Sequence, residues 1–99
     1  MNYIDELATA IRAHVPPQFL PDDDTEQLFR LYAVLALTKG DRVSAEDVHN
    51  AWAAWMSGLS GNHPSLKPFA ALPVETRRAD EPFVDAIRAA ARERRIGRV

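Results

Sequence analysis

The chain has 99 residues, a formal net charge of −2 and no cysteine. One domain is expected at this length, and the lack of thiols excludes disulfides, thiolate metal ligands and a cysteine nucleophile. No apolar run approaches the roughly 20 residues of a membrane span, and the N-terminus lacks the pattern of a secretory signal. We therefore expect a soluble, cytoplasmic protein.

The first predicted helix covers about residues 3–14. Asn2 is a suitable N-cap, and Pro16 and Pro17 end the helix, because a residue before proline is pushed out of the α region. Four apolar residues recur at i, i+3, i+4 and i+7, which predicts one buried face: Ile4, Leu7, Ala8 and Ile11.

A second helix is predicted to open with an aspartate cap within Asp22-Asp23-Asp24 and to end at Gly40. Between Leu28 and Leu37 it is apolar on almost every side. Such a helix is either surrounded by other helices or has one face in a dimer. We expect it to be the most buried helix, and a homodimer is plausible.

The third helix is predicted to start at Ser44, which forms a capping-box pattern with Asp47. Gly58 and Gly61 are expected to end it. Both tryptophans fall on the predicted inner face, which consists of Val48, Ala51, Trp52, Trp55, Met56 and Leu59.

Residues 60–72 are predicted to form an extended arm that presses three regularly spaced side chains, Leu66, Phe69 and Leu72, onto the helices. Residues 73–78 suit a short helical turn. Asp80 then caps the last helix, which Gly97 closes. Its predicted inner face is Phe83, Val84, Ile87, Ala90 and Ala91. The sequence thus predicts an all-α fold over 1–99, a single domain of four main helices with an ordered proline-rich arm and no sheet.

The candidate catalytic and metal-binding residues form no known constellation. His14, His49 and His63 lie on different elements without metal-ligand spacing, and no serine sits in a Gly-x-Ser-x-Gly pattern. We expect no metal, no cofactor and no enzymatic activity. The structural interpretation is that His49 bonds a backbone carbonyl and that His63 orders the turn before Pro64.

The sequence formed by residues 45–52, then 63–72 and Asp80, resembles the RyR domain, a small helical module repeated in ryanodine receptors and found alone in bacterial and phage proteins. The positions that match are His49, Trp52, His63, Pro64, Leu66, Pro68, Phe69, Leu72 and Asp80. The resemblance covers about residues 45–95 and implies a helical fold with a non-catalytic role. Residues 1–40 have no counterpart in the module, and the 57–62 segment is shorter than its counterpart. The whole arrangement is also similar to small proteins of actinobacteria and of their phages.

Two functional hypotheses follow. The first is a non-enzymatic protein-interaction module, phage- or prophage-encoded, that binds a host protein or a second copy of itself. The alternative, suggested by the RyR resemblance, is a sensor of a nucleotide or nucleotide-derived messenger. Its stacking and phosphate contacts would come from five residues: His49, Trp52, His63, Arg88 and Arg92. Nucleic acid is not expected as a partner, because the chain is acidic overall and helix C-termini attract cations on their own account.

Overall fold

Helices supply all the regular secondary structure in the computed structural model, which describes residues 2–21 and 24–96, with side chains as far as Arg94. Four main helices and one short one follow in chain order: α1 (Tyr3–His14), α2 (Glu26–Lys39), α3 (Ala45–Leu59), α4 (Val74–Arg78) and α5 (Glu81–Ile96). Within these residues there is no strand, and no helix is long and apolar enough to cross a membrane. The predicted all-α fold of four main helices is confirmed.

Local sequence signals set several of the helix ends. The Asn2 side chain accepts a hydrogen bond from the Asp5 amide at 2.9 Å. Ser44 and Asp47 form a complete capping box at the start of α3. Gly40 ends α2 with a φ of 62°, a backbone conformation that residues with a Cβ rarely adopt.

The start of α2 differs from the prediction. Thr25 occupies the N-cap position but makes no side-chain cap bond; its hydroxyl accepts a hydrogen bond from the Arg12 guanidinium at 2.7 Å instead. Asp24 bonds the Glu26 amide at 3.2 Å from outside the cap position. The N-cap position therefore falls at Thr25, one residue after the last aspartate of the predicted cap. Asp22 and Asp23 lie outside the described residues, as does Gly97.

The end of α3 also departs from the predicted pattern. The helix continues through Gly58 to Leu59. Leu59 is 66% exposed, so its assignment to the inner face is wrong. The whole 57–62 segment around it is exposed and offers no buried neighbour. His49, which the apolar pattern did not include, is 3% exposed.

The core lies where α1 and α2 pack against each other and against α5, with the start of α3 closing one side. Ion pairs join His14 on α1 to Glu93 on α5, and Asp5 on α1 to Arg30 on α2. The buried cluster is almost wholly apolar and comprises Leu7, Ile11, Val15, Leu28, Phe29, Tyr32, Ala33, Ala36, Val43, Val48, Val84, Ala86, Ile87 and Ala90.

The second helix has two unlike sides. It supplies five buried side chains to the core, against two each from α1 and α3. On its outer side Leu31, Val34 and Leu37 are 36%, 45% and 37% exposed. The described residues of the same chain therefore leave the outer side of α2 uncovered.

The arm between α3 and α4 is ordered against the helices. Leu72 is buried, and Leu66 and Phe69 are half-buried. The Nε2–H group of His49 donates a hydrogen bond of 2.6 Å to the backbone carbonyl of Lys67 and so fastens the arm to α3. The predicted short turn is α4.

Candidate functional site

An aromatic cluster forms where α3 meets the arm. The ring of His49 stacks on that of Trp52, with centroids 5.7 Å apart and planes inclined by 26°. Phe69 of the arm lies 6.2 Å from His49, and His63 meets Trp52 edge-on at 4.9 Å. The structure therefore brings together three of the residues proposed from the sequence as ligand-binding: His49, Trp52 and His63.

Backbone hydrogen bonds orient both histidines. A carbonyl oxygen can only accept, so the bond to Lys67 requires a proton on Nε2 of His49. Nδ1 of His63 accepts a hydrogen bond from the Ser65 amide at 3.0 Å and therefore carries no proton. These contacts are the ones that the structural interpretation of the sequence predicted for the two residues.

A pocket of about 350 Å³ lies beside this cluster, between α2, α3, α4 and the start of α5. Its size is near the lower end of the roughly 300–1,000 Å³ range of ligand pockets. Four aromatic side chains line it: Tyr32, Trp52, Trp55 and Phe83. Leu28 and Met56 add apolar surface, and the polar groups belong to His49, Ser65, Thr76 and Asp80.

Several polar groups of the pocket lack a protein partner among the described residues, including the Tyr32 hydroxyl and the Asp80 carboxyl. Burial, and secondarily the Asp80 carboxylate, raises the pKa of the Tyr32 hydroxyl above its ordinary value. Burial also raises the pKa of Asp80 to about 6, against the opposing effect of His49. Among the residues that the structure describes, neither the Tyr32 hydroxyl nor the Asp80 carboxyl makes a hydrogen bond.

Asp80 directly precedes α5, the position that the sequence predicted for the cap, but its side chain does not cap the helix. Its backbone carbonyl accepts the amide of Val84 at 3.0 Å. Its carboxyl group lines the pocket and bonds no helix amide in the described part of the chain. The side chain is therefore available to a ligand.

Arg88 and Arg92 lie outside the aromatic pocket. The Nε–H group of Arg88 donates to the carbonyl of Val43 at 2.9 Å, and Nε of Arg92 lies 3.9 Å from the Asp41 carboxylate. Both arginines thus face the connection between α2 and α3, and neither lines the pocket. Through the described residues, no lysine or arginine side chain lines it.

A larger depression of about 620 Å³ lies between α1 and the start of α2. Its cations are already engaged, because Arg30 pairs with Asp5, and Arg12 bonds Thr25 and lies over the Phe29 ring. It is also more open than the aromatic pocket, which is therefore the better candidate site. No group of three or more His, Asp or Glu side chains in the described residues is arranged to hold a metal ion.

Sequence reasoning missed most of the pocket. Tyr32, Trp55, Met56 and Phe83 were assigned to a closed core, whereas they also line the pocket. The available signal was an excess of large apolar side chains on facing helices, which does not reveal whether they fill the space between them.

Fold and site together define a small all-α domain with an aromatic pocket of low polarity. The family model described as a domain of unknown function, DUF7701, matches residues 2–92. The chain belongs to this family, whose matched span includes α1 and α2 as well as the α3–arm region. No curated protein and no solved structure matches the chain.

Proposed function

We propose that the protein is a non-enzymatic binding module that holds a small, largely apolar ligand in the pocket between α2, α3 and α5. The observation that carries this proposal is the Tyr32 hydroxyl. Its side chain is 2% exposed and lines the pocket, yet no group in the described residues bonds the hydroxyl. The hydroxyl oxygen is not among the fully buried unpartnered atoms of the described residues, so it is reachable from the pocket, and a ligand there would supply its partner.

The pocket lining contains no lysine or arginine of the described residues, which argues against a ligand that carries a phosphate group. A phosphate group needs cationic partners, whereas Arg88 and Arg92 contact Val43 and Asp41. A nucleobase or nucleoside suits the aromatic walls better than a nucleotide does. In this proposal the aromatic cluster stacks on the ligand, and Arg88 and Arg92 do not contact it.

We also propose that residues 45–95 are related to the RyR domain. Supporting this is the packing of the residues that carry the resemblance, since His49, Trp52, His63 and Phe69 form a continuous set of ring contacts. In this proposal the RyR-like half supplies the α3 wall of the pocket, and α2 supplies the opposite wall.

Intrinsic tryptophan fluorescence tests the ligand proposal directly. The chain contains two tryptophans, and both line the pocket. We would titrate the protein with adenosine, AMP and 3,3-dimethylbutan-1-ol, correct the emission for light absorbed by the adenine compounds, and repeat each titration by NMR of the two tryptophan indole N–H groups. We expect at least one compound to bind saturably with Kd below about 1 mM, equivalent to about −4 kcal/mol, and adenosine to bind more tightly than AMP.

A matched pair of variants locates the binding. Ala79 and Ala70 are both exposed, but only Ala79 lines the pocket. Ala79→Phe should fill the pocket and abolish binding, and Ala70→Phe should leave it unchanged. If no compound perturbs either indole, or if Ala79→Phe binds as the wild type does, the ligand proposal is wrong.

The outer face of α2 favours a second candidate function, self-association. Leu31, Val34 and Leu37 leave a stripe of apolar surface in water, and Trp55 borders the shallow depression beside it. We propose that a second copy covers this stripe through a two-fold contact, in which the same face serves both partners.

Light scattering tests self-association. We expect a dimer at high protein concentration and a monomer for Val34→Glu, with unchanged circular dichroism. Ala54→Glu, at an exposed position on α3, is the control and should remain dimeric. A wild-type protein that stays monomeric at every concentration contradicts the dimer but not the pocket.

A further inference from the structure

We propose that the ligand of the aromatic pocket is a small organic cation, an alkylated amine held between the aromatic side chains and the Asp80 carboxylate. This inference rests on the proposed function and names the class of ligand. It draws on three features of the pocket: the arrangement of the rings, the sign of the charge and the state of the Tyr32 hydroxyl.

Two of the rings that line the pocket are inclined to each other. Tyr32 and Phe83 lie 5.8 Å apart between centroids, with their planes inclined by 44°. Trp52 and Trp55 complete the lining from α3. Inclined walls suit a rounded ammonium group better than a flat base, which prefers parallel surfaces. Trp, Tyr and Phe faces all attract cations, and Trp does so most strongly.

The charge of the pocket has the complementary sign. Asp80 is the acidic group in its lining, and the lining contains no lysine or arginine of the described residues. His49 faces the same space, but its Nε2–H group is committed to the Lys67 carbonyl. A phosphate or carboxylate ligand would meet Asp80 without a compensating cation, whereas an ammonium group would be paired with it.

Partial burial removes part of the solvation of the Asp80 carboxylate and raises its pKa to about 6. At neutral pH the group is nevertheless largely ionised, and the partial positive charge at the start of α5 favours the ionised form. A cation on the aromatic side of Asp80 would replace the missing solvation. The Tyr32 hydroxyl oxygen, also without a partner, would face the same positive charge.

Two compounds of the same shape separate charge from size. Choline and 3,3-dimethylbutan-1-ol differ in that a positively charged nitrogen replaces a carbon, and neither absorbs where tryptophan is excited. At pH 7.5 we expect choline to bind at least about tenfold more tightly, a difference of about 1.4 kcal/mol.

Variants of two nearby aspartates, of which only Asp80 lines the pocket, identify the anion. Asp80→Asn should bring the affinity for choline down to that for the alcohol and leave the alcohol unaffected. Asp85→Asn, at an exposed position on α5, should retain the full preference. The preference should also shrink as pH falls from 7.5 to 5, because Asp80 becomes protonated. Tyr32 and His49 face Asp80 as well, so the pH series is to be read together with the Asp80 variant.

The outcomes separate the two proposals. If the alcohol binds as tightly as choline does, the cation inference is wrong and the ligand proposal stands. If neither compound binds and the wider panel fails too, both fall. A preference for choline that survives Asp80→Asn also overturns the inference, because the anion would then lie elsewhere.

Discussion

The α1–α2–α5 core and the α3–arm region use large apolar side chains in different ways. In the core, Ile11, Phe29 and Ile87 are at most 1% exposed. At the α3–arm junction, Trp52 and Trp55 are half-buried, and polar contacts such as that between His49 and Lys67 fix the packing. Apolar surface left in contact with water contributes little to folding. The comparison indicates that the core supplies most of the stability and that the α3–arm region keeps surface available for binding.

The largest effect is expected in the core. Phe29 is 1% exposed, packs edge-on against Tyr32 at 5.3 Å and lies beneath Arg12. Phe29→Ala should lower the free energy of unfolding by about 3–5 kcal/mol in urea denaturation. Phe19→Ala, the same change at an exposed site, should alter it by less than about 0.5 kcal/mol. If Phe29→Ala does not fold, Phe29→Leu replaces it and should still lose more stability than Phe19→Ala.

A smaller effect is expected at the junction. Trp52→Ala removes the ring contacts with His49 and His63, but the indole is half-buried. We expect a loss of about 2 kcal/mol in the same denaturation experiment, less than the usual cost for a fully buried tryptophan. A loss as large as that of Phe29→Ala would remove the distinction between the two regions.

The capping box of α3 should contribute about 1 kcal/mol. Ser44 accepts the Asp47 amide, and Asp47 accepts the Ser44 amide at 2.9 Å. Burial acts to raise the pKa of Asp47, but hydrogen bonds from Ser44 and Lys39 outweigh it, so the net pKa is lowered. The stabilisation is therefore present above the ordinary aspartate pKa and lost as pH falls through the lowered value. Ser44→Ala should lose this acid-sensitive stability, and Ser57→Ala, at the exposed end of the same helix, should not.

The smallest expected effect is an increase in the free energy of unfolding, caused by replacing Asp80. The pKa of Asp80 is about 6 in the folded state and 3.8 ordinarily, so the folded state binds more protons between these values. Stability therefore falls as pH rises through that window. Asp80→Asn should stabilise the ligand-free protein at pH 7.5 by less than about 1 kcal/mol, since the group is half-exposed and screened by solvent. The gain should vanish toward pH 4. A gain that is equal at both pH values, or one shared by Asp85→Asn, would show that the charge of Asp80 is not its cause.

The sequence predicted what depends on near neighbours. The Asn2 cap, the Ser44 capping box and the turn at Gly40 each involve residues within a few positions of one another. The buried faces of α1 and α5 follow from helical periodicity for the same reason. The N-cap of α2 was misassigned by one residue; it falls at Thr25, whose hydroxyl bonds Arg12 of another helix.

The pocket could not be predicted in this way. Periodicity identifies the side of a helix that faces its neighbours, but not whether the neighbours fill the intervening space. Arg88 and Arg92 are four positions apart and therefore share one helix face, but the element that this face contacts depends on the rotation of α5 against the α2–α3 connection. His49 and Lys67 are 18 positions apart, and no local pattern joins them.

The packing of α1 against α5 has a consequence for synthesis of the chain. His14 and Glu93, which are paired across these helices, are separated by 79 positions. As the chain emerges from the ribosome, α1 and α2 can pair early, but the side that α5 covers stays open until α5 has emerged. In contrast, α3 can begin to form as soon as it has emerged, because the two residues of its capping box are three positions apart. From the time α1 has emerged until α5 has emerged, the nascent chain therefore exposes the side of the α1–α2 pair that α5 covers in the folded domain.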